Sequence, residues 1–279
     1  MEYFKQYRDH KDIRMKNPTL FHIPFVYFYK TRIKSLAALI NWIFIYIVPT
    51  FTLFVLMAEK SPLVIVSLSY ISVILAIYSI YEAGYMQNDT ETIKFEINPT
   101  LRLSNEQLKY YEEYKSIIYF IRIVFTFLFC MVALVLIDSS REQIFLILSA
   151  LIMIGITYYF YNQIRNIFTL LLLFVLVSLR YMTPLLLIYE EEWKFYLVLV
   201  ILLYPVLNLF DWLYKPQFKQ YALPFSQATV RILYYSLLSV VFSYLFYTTL
   251  YEQYKVALIL SAYFLLYRMV FWYIYRRKK

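Results

Sequence analysis

The stretch PLVIVSLSYISVILAIYSIYEAGYMQNDTETIKFEINPTLR, residues 62–102, decides how this chain folds. It carries no charge before Glu82 and then turns abruptly to carboxylates, amides and bases. A run of about 20 apolar residues is what a helix rising 1.5 Å per residue needs to cross ~30 Å of hydrocarbon. Similar runs flank it on both sides, and the predicted spans are 35–57, 62–83, 116–137, 143–161, 166–189, 194–213, 229–248 and 254–275. Lipid offers the backbone no hydrogen bonds, so such runs must be helices; a barrel would need short alternating strands, which the sequence does not show. The expected fold is all-α, a polytopic integral membrane protein of eight transmembrane helices. Residues 1–34 read as a cytoplasmic or interfacial N-terminal segment and 35–279 as a single membrane domain. Residues 20–29 (LFHIPFVYFY) are apolar but too short to span, and read as an interfacial piece or the start of a tilted helix.

Composition points the same way. Of 279 residues, 62% are hydrophobic and 16% charged, against roughly half and a quarter in soluble domains. Two glycines exclude collagen-like, glycine-loop and low-complexity chains, and one cysteine, Cys130, excludes an intrachain disulfide or a cysteine metal cluster. Only His10 and His22 are available as imidazole ligands, so a histidine zinc site is not expected. The 32 tyrosines suit a membrane interface and a lipid-lined cavity.

The net charge of +9 reflects topology. The termini and the loops after the second, fourth and sixth spans hold 20 of the 27 lysines and arginines; the opposite loops hold 4, and Arg122, Arg180 and Arg268 fall inside spans. By the positive-inside rule both termini are expected in the cytoplasm, in the cytoplasmic or inner membrane of a prokaryote. Basic loops of this kind attract anionic lipid headgroups, and the lipid bilayer rather than nucleic acid is the expected partner.

Three groups of chemically capable residues stand at the cytoplasmic ends of these spans. In the first, Glu82, Asp89 and Glu96 are spaced by seven, so a helix continued to Pro99 puts them on one face with Tyr85 and Thr92, and Asn88 at its edge. A column of carboxylate and amide oxygens suits Mg²⁺, which takes few protein carboxylates and shares phosphate oxygens with its substrate. Lys94 and Arg102 stand ready for the rest of a phosphate group. Alternatively, this is a solvated helix extension, although a carboxylate inside a span, as at Glu82, usually has a function. The second group is Asn208, Asp211 and Lys215, which by itself equally suits an interfacial anchor. The third is Tyr161, Asn162 and Arg165, which alone reads as an aromatic belt with a topogenic arginine. All three occupy one side of the membrane.

This arrangement resembles the UbiA superfamily of intramembrane prenyltransferases. Those proteins carry an N-D-x-x-D-x-x-x-D motif and a P-x-R segment after their second helix, a second aspartate-rich motif after the sixth, and often a tyrosine with a basic residue after the fourth. Here Asn88-Asp89 is followed by Thr92 and Glu96 at the next two acidic positions, and then by Pro99 and Arg102. The second motif is reduced to Asn208 and Asp211, and Tyr161 and Arg165 stand after the fourth span. The resemblance implies a UbiA-like helical bundle in which Mg²⁺, held by Asp89 and Glu96 on one side and Asn208 and Asp211 on the other, clamps an isoprenoid diphosphate. Catalytic roles would fall to Asp89, Asp211, Asn88 and Tyr161. Lys94, Arg102, Arg165, Lys215 and Tyr85 would bind substrate, and tyrosine faces would stabilise an allylic cation. Two other functions stay open: phosphoribosyl transfer from phosphoribosyl diphosphate to a polyprenyl phosphate, and a non-enzymatic transporter or membrane scaffold.

Overall fold

A computed structural model describes residues 19–58, 61–95, 99–164, 166–188 and 193–277. Two short helices come first, α1 (Thr19–His22) and α2 (Val26–Arg32). Eight long apolar helices follow: α3 (Leu36–Met57), α4 (Leu63–Thr90), α5 (Asn105–Leu136), α6 (Arg141–Gln163), α7 (Phe168–Leu187), α8 (Trp193–Leu213), α9 (Gln227–Thr249) and α10 (Glu252–Arg277). The protein is an all-α polytopic membrane protein. Large apolar side chains such as Ile71, Phe120, Val135, Phe145 and Val240 stand exposed on the flanks of these helices, as a lipid-facing surface requires.

Where these helices start follows from local chemistry. Ser104 and Ser140 each close a capping box with a glutamine three residues on, Gln107 and Gln143, satisfying backbone donors at the starts of α5 and α6. Because Ser104 caps there, α5 begins 11 residues before the predicted span, outside the apolar run. Helix α4 stops at Thr90 and gives way to a 3₁₀ turn at Thr92–Phe95, so the helix expected to continue to Pro99 ends early. Thr92 there bonds back to the carbonyl of Gln87 at 3.4 Å.

Prolines break three of the spans, and hydroxyls repair the breaks. In α3 a π-turn at Ile43–Ile47 precedes Pro49, whose ring and missing N–H disturb the preceding turn. Thr50 bonds the carbonyl of Tyr46 at 2.7 Å, and the Tyr70 hydroxyl reaches that of Ile47 at 3.2 Å. Helix α7 tightens to a 3₁₀ turn at Thr183–Leu187 around Pro184. Helix α8 is interrupted at Tyr204, before Pro205. The carbonyls of Leu202 and Leu203 on the upstream side accept from the hydroxyls of Tyr234 and Tyr235 of α9. A membrane interior demands such replacements, since water is not there to make them.

The N-terminal segment packs against the helical bundle. Leu20, Phe21 and Tyr27 are buried, with Met86, Leu103, Tyr111 and Ile118 around them. The α1–α2 hairpin is thus wedged against α4 and α5, and its position determines the surroundings of Glu82 and Asp89.

Candidate functional site

Glu82 and Asp89 do share the face of α4 that their spacing predicts, and the α1–α2 hairpin covers it. Glu82 is fully buried. Its carboxylate accepts from the backbone N–H groups of Phe25 at 2.9 Å and Phe28 at 2.6 Å, and pairs with the equally buried Arg122 of α5. Phe25, in the left-handed region at φ 73°, turns the chain so that the first N–H groups of α2 aim at this anion. Arg122 also donates to the carbonyl of Phe21 at 3.0 Å. Glu82 therefore staples the hairpin to the bundle, and its intramembrane charge is spent on structure.

Asp89 is the centre of the site. The Tyr27 hydroxyl donates to it at 2.9 Å, Arg32 pairs with it at 2.8 Å, Arg102 at 2.9 Å, and the Asn88 amide lies at 3.3 Å. The Arg32 guanidinium also lies over the Tyr85 ring at 4.5 Å, which gives Tyr85 its place. Burial and the adjacent Asp89 carboxylate push the Tyr27 phenol well above its ordinary range, so it stays a donor. Burial opposes the charge on Arg32, but Asp89 outweighs it and holds the guanidinium firmly protonated. Two guanidiniums meet one carboxylate, which leaves the cluster with one net positive charge.

The C-terminal ends of α6 and α8 join this rim. Asn162 donates to the carbonyl of Gly84 at 3.0 Å and to the Gln87 amide oxygen at 2.9 Å. Tyr161 meets Trp212 of α8 edge-on at 6.1 Å and Tyr158 at 5.9 Å. The Tyr158 ring lies so close to Gly84 that a Cβ there would stand 2.2 Å from its Cγ. Glycine at 84 is what allows α4 and α6 to approach at this level.

The remaining residues distribute unevenly. Asp211 is gripped by Arg231 of α9 through two bonds of 2.8 and 3.0 Å and by Gln227 at 3.0 Å. Asn208 lies one turn before it, half-buried. Lys215 sits over the Trp212 indole at 3.1 Å, and although the residue is exposed, desolvation there draws its ammonium down to about 8. Lys94 departs from its expected role: it turns to Glu112 at 2.6 Å and Glu91 at 3.6 Å, away from Asp89, because the early end of α4 swings it toward α5. Glu96 and Arg165 lie outside the described residues. Among the described residues no three His, Cys, Asp or Glu side chains are grouped closely enough to hold a metal by themselves. Sequence reasoning missed Tyr27 and Arg32, which are 62 and 57 residues from Asp89 in the chain. It counted Arg231 only toward topology, although a basic residue in the first turns of α9 could have signalled a partner for Asp211.

In comparison with known proteins, the chain matches no family model, no curated protein and no solved structure.

Proposed function

We propose that this protein is a Mg²⁺-dependent intramembrane transferase of the UbiA type, moving a prenyl group from an isoprenoid diphosphate to an acceptor. The observation that carries the reading is the arginine surplus around Asp89. A diphosphate brings several negative charges, and Arg32 and Arg102 already stand at one place with a single carboxylate between them. Guanidinium forks suit phosphate oxygens. Asp89 with Asn88 fits a Mg²⁺ that arrives on a diphosphate, because that ion needs only one or two protein carboxylates and takes its other ligands from phosphate and water. When bound, the ion neutralises charge on the diphosphate.

This chain's own residues do the rest. Arg32 and Arg102 hold the leaving diphosphate and offset the charge that grows on it as the C–O bond breaks. Tyr27 donates a proton-bearing hydroxyl at the same place. The edge-to-face cluster of Tyr81, Tyr85 and Tyr158, with ring centres 4.8 to 5.7 Å apart, offers π faces to a developing allylic cation.

A second reading has its own observation. The break at Tyr204–Pro205 interrupts α8 within its span, and discontinuous helices of this kind line substrate sites in transporters. The two separate in one assay. Thermal midpoints of purified protein are measured with Mg²⁺ and either geranyl diphosphate or phosphoribosyl diphosphate; a membrane lipid extract supplemented with polyprenyl phosphate then supplies the acceptors, and the lipid products are weighed by mass spectrometry. A prenyltransferase is stabilised by geranyl diphosphate, consumes it, and loses both effects in Arg102→Gln. Stabilisation by phosphoribosyl diphosphate selects the phosphoribosyl transferase, and no turnover of either donor selects the transporter or scaffold.

A further inference from the structure

Three arginines, Arg122, Arg180 and Arg268, fall deep in spans without reaching the rim. Arg122 is neutralised by Glu82. Arg180 and Arg268 make no ion pair with any carboxylate among the described residues. Arg180 stands twelve residues into α7 from Phe168, about 18 Å along the axis at 1.5 Å per residue, near the middle of a bilayer. Four tyrosine rings surround its guanidinium, Tyr46 at 4.5 Å, Tyr78 at 5.2 Å, Tyr81 at 5.3 Å and Tyr181 at 5.8 Å. These rings are all buried, while Arg180 itself is only half-buried. One of its nitrogens donates to the Tyr78 hydroxyl, while its Nε is buried with no partner.

Arg268 of α10 repeats the pattern: its Nε is also buried and unpartnered. Phe264, one turn before Arg268 in α10, meets the Tyr204 ring edge-on at 5.4 Å, and Arg180 lies over Tyr181 at 5.8 Å. Tyr181 stacks on Tyr204 at 3.8 Å, and the buried Tyr204 hydroxyl, at the break in α8, is the third polar atom here without a partner. Ring faces recover only part of the cost of holding an arginine in hydrocarbon, and two uncompensated arginines call for an anion. Unspent N–H and O–H donors thus sit on three neighbouring helices, α7, α8 and α10.

We infer that Arg180, Arg268 and Tyr204 form an intramembrane site for a phosphoryl group carried on an apolar chain. The phosphoryl oxygens accept from both guanidiniums and from the phenol, and the chain lies among the tyrosine and aliphatic side chains of α3, α7, α8 and α10. The site shares the Tyr81 ring with the tyrosine cluster beside the Asp89 rim but uses different cations, and it does not depend on the transferase reading.

The test uses purified full-length protein in phosphatidylcholine nanodiscs, with EDTA present to silence any Mg²⁺-dependent binding. The probes are farnesyl phosphate, farnesol, phosphatidic acid and inorganic phosphate, and the readout is the thermal midpoint against probe concentration. Farnesyl phosphate or phosphatidic acid is expected to raise the midpoint while farnesol does not, and whichever acts at lower concentration identifies an isoprenoid or a bilayer lipid as the source. Arg180→Gln and Arg268→Gln are each expected to weaken the apparent affinity by at least about tenfold, as loss of a charge-assisted hydrogen bond does. Tyr204→Phe removes one oxygen and leaves the fold, so it serves if an arginine variant fails to assemble; about a threefold weakening is expected. Arg102→Gln is expected to bind these probes as the wild type does, which separates this site from the rim. Equal stabilisation by farnesol, equal stabilisation by inorganic phosphate, or unchanged affinity in Arg180→Gln and Tyr204→Phe would overturn the assignment.

Discussion

Asp89 has more donors around it than any other acid among the described residues, and the balance of charge there sets what its substitutions do. Asp89→Asn strands two guanidiniums, each under a quarter exposed, and is expected to cost about 3 kcal/mol, as breaking a buried pair does. A chemical or thermal melt of the detergent-solubilised protein reads it. Gly84 gives a sharper steric test. A methyl group at that position meets the root of the Tyr158 ring at 2.2 Å, where the side chain cannot swing away. Gly84→Ala is expected to destabilise by about 3 kcal/mol, the upper end for overpacking. Tyr158→Leu in the same chain should recover part of that loss. His22 supplies a pH dependence. Burial, and then the charge of Arg122, lower its pKa from the ordinary 6.5. The folded protein thus prefers the neutral ring, whose Nε2 lies 2.8 Å from the Tyr110 hydroxyl. Its contribution is complete above pH ~6.5 and is lost as the pH falls below that value. The midpoint should therefore drop between pH 6.5 and 5 more steeply in the wild type than in His22→Gln.

At the scale of elements, the α1–α2 hairpin is held by two carboxylates of α4, Glu82 and Asp89, of which Glu82 is paired with a buried arginine of α5. Glu82→Gln leaves Arg122 unpaired and weakens two bonds to the start of α2, for an expected cost of about 3–5 kcal/mol. Replacing both partners, as in Glu82→Gln with Arg122→Met, should cost less than the sum of the single changes. Limited proteolysis between residues 19 and 32 reads the release of the hairpin. None of this was legible in residues 20–29, because ten apolar residues look the same whether they lie on a bilayer or are wedged between helices. The heptad spacing of Glu82 and Asp89 correctly placed them on one face; what covers that face is fixed by contacts more than 50 residues apart, which no local pattern records. The breaks at Pro49, Pro184 and Pro205 sit in uniformly apolar runs. Hydropathy therefore found the spans and was blind to the interruptions, and of the hydroxyls that repair them Tyr70, Tyr234 and Tyr235 come from other helices.

For the whole molecule, the eight spans were readable because crossing a bilayer is a condition on length and polarity alone. The gathering of helix ends around Asn162, and the division of Asp89 and Asp211 between different arginines, were not, since each depends on which helices pack together. The lopsided distribution of lysine and arginine makes a global prediction about orientation. In a Cys130→Ser background, Lys219→Cys should react with an impermeant thiol reagent only from the cytoplasmic side, and Lys255→Cys only from the opposite side. The central claim is that the arginine surplus at Asp89 receives a diphosphate. It is tested most directly by a cryo-EM structure with Mg²⁺ and a non-reactive thiolodiphosphate analogue of geranyl diphosphate. The account expects the analogue's phosphates between Arg32 and Arg102, with Asp89 turned to the ion. A bound analogue lying elsewhere, with Asp89 still gripped by both guanidiniums, would contradict it.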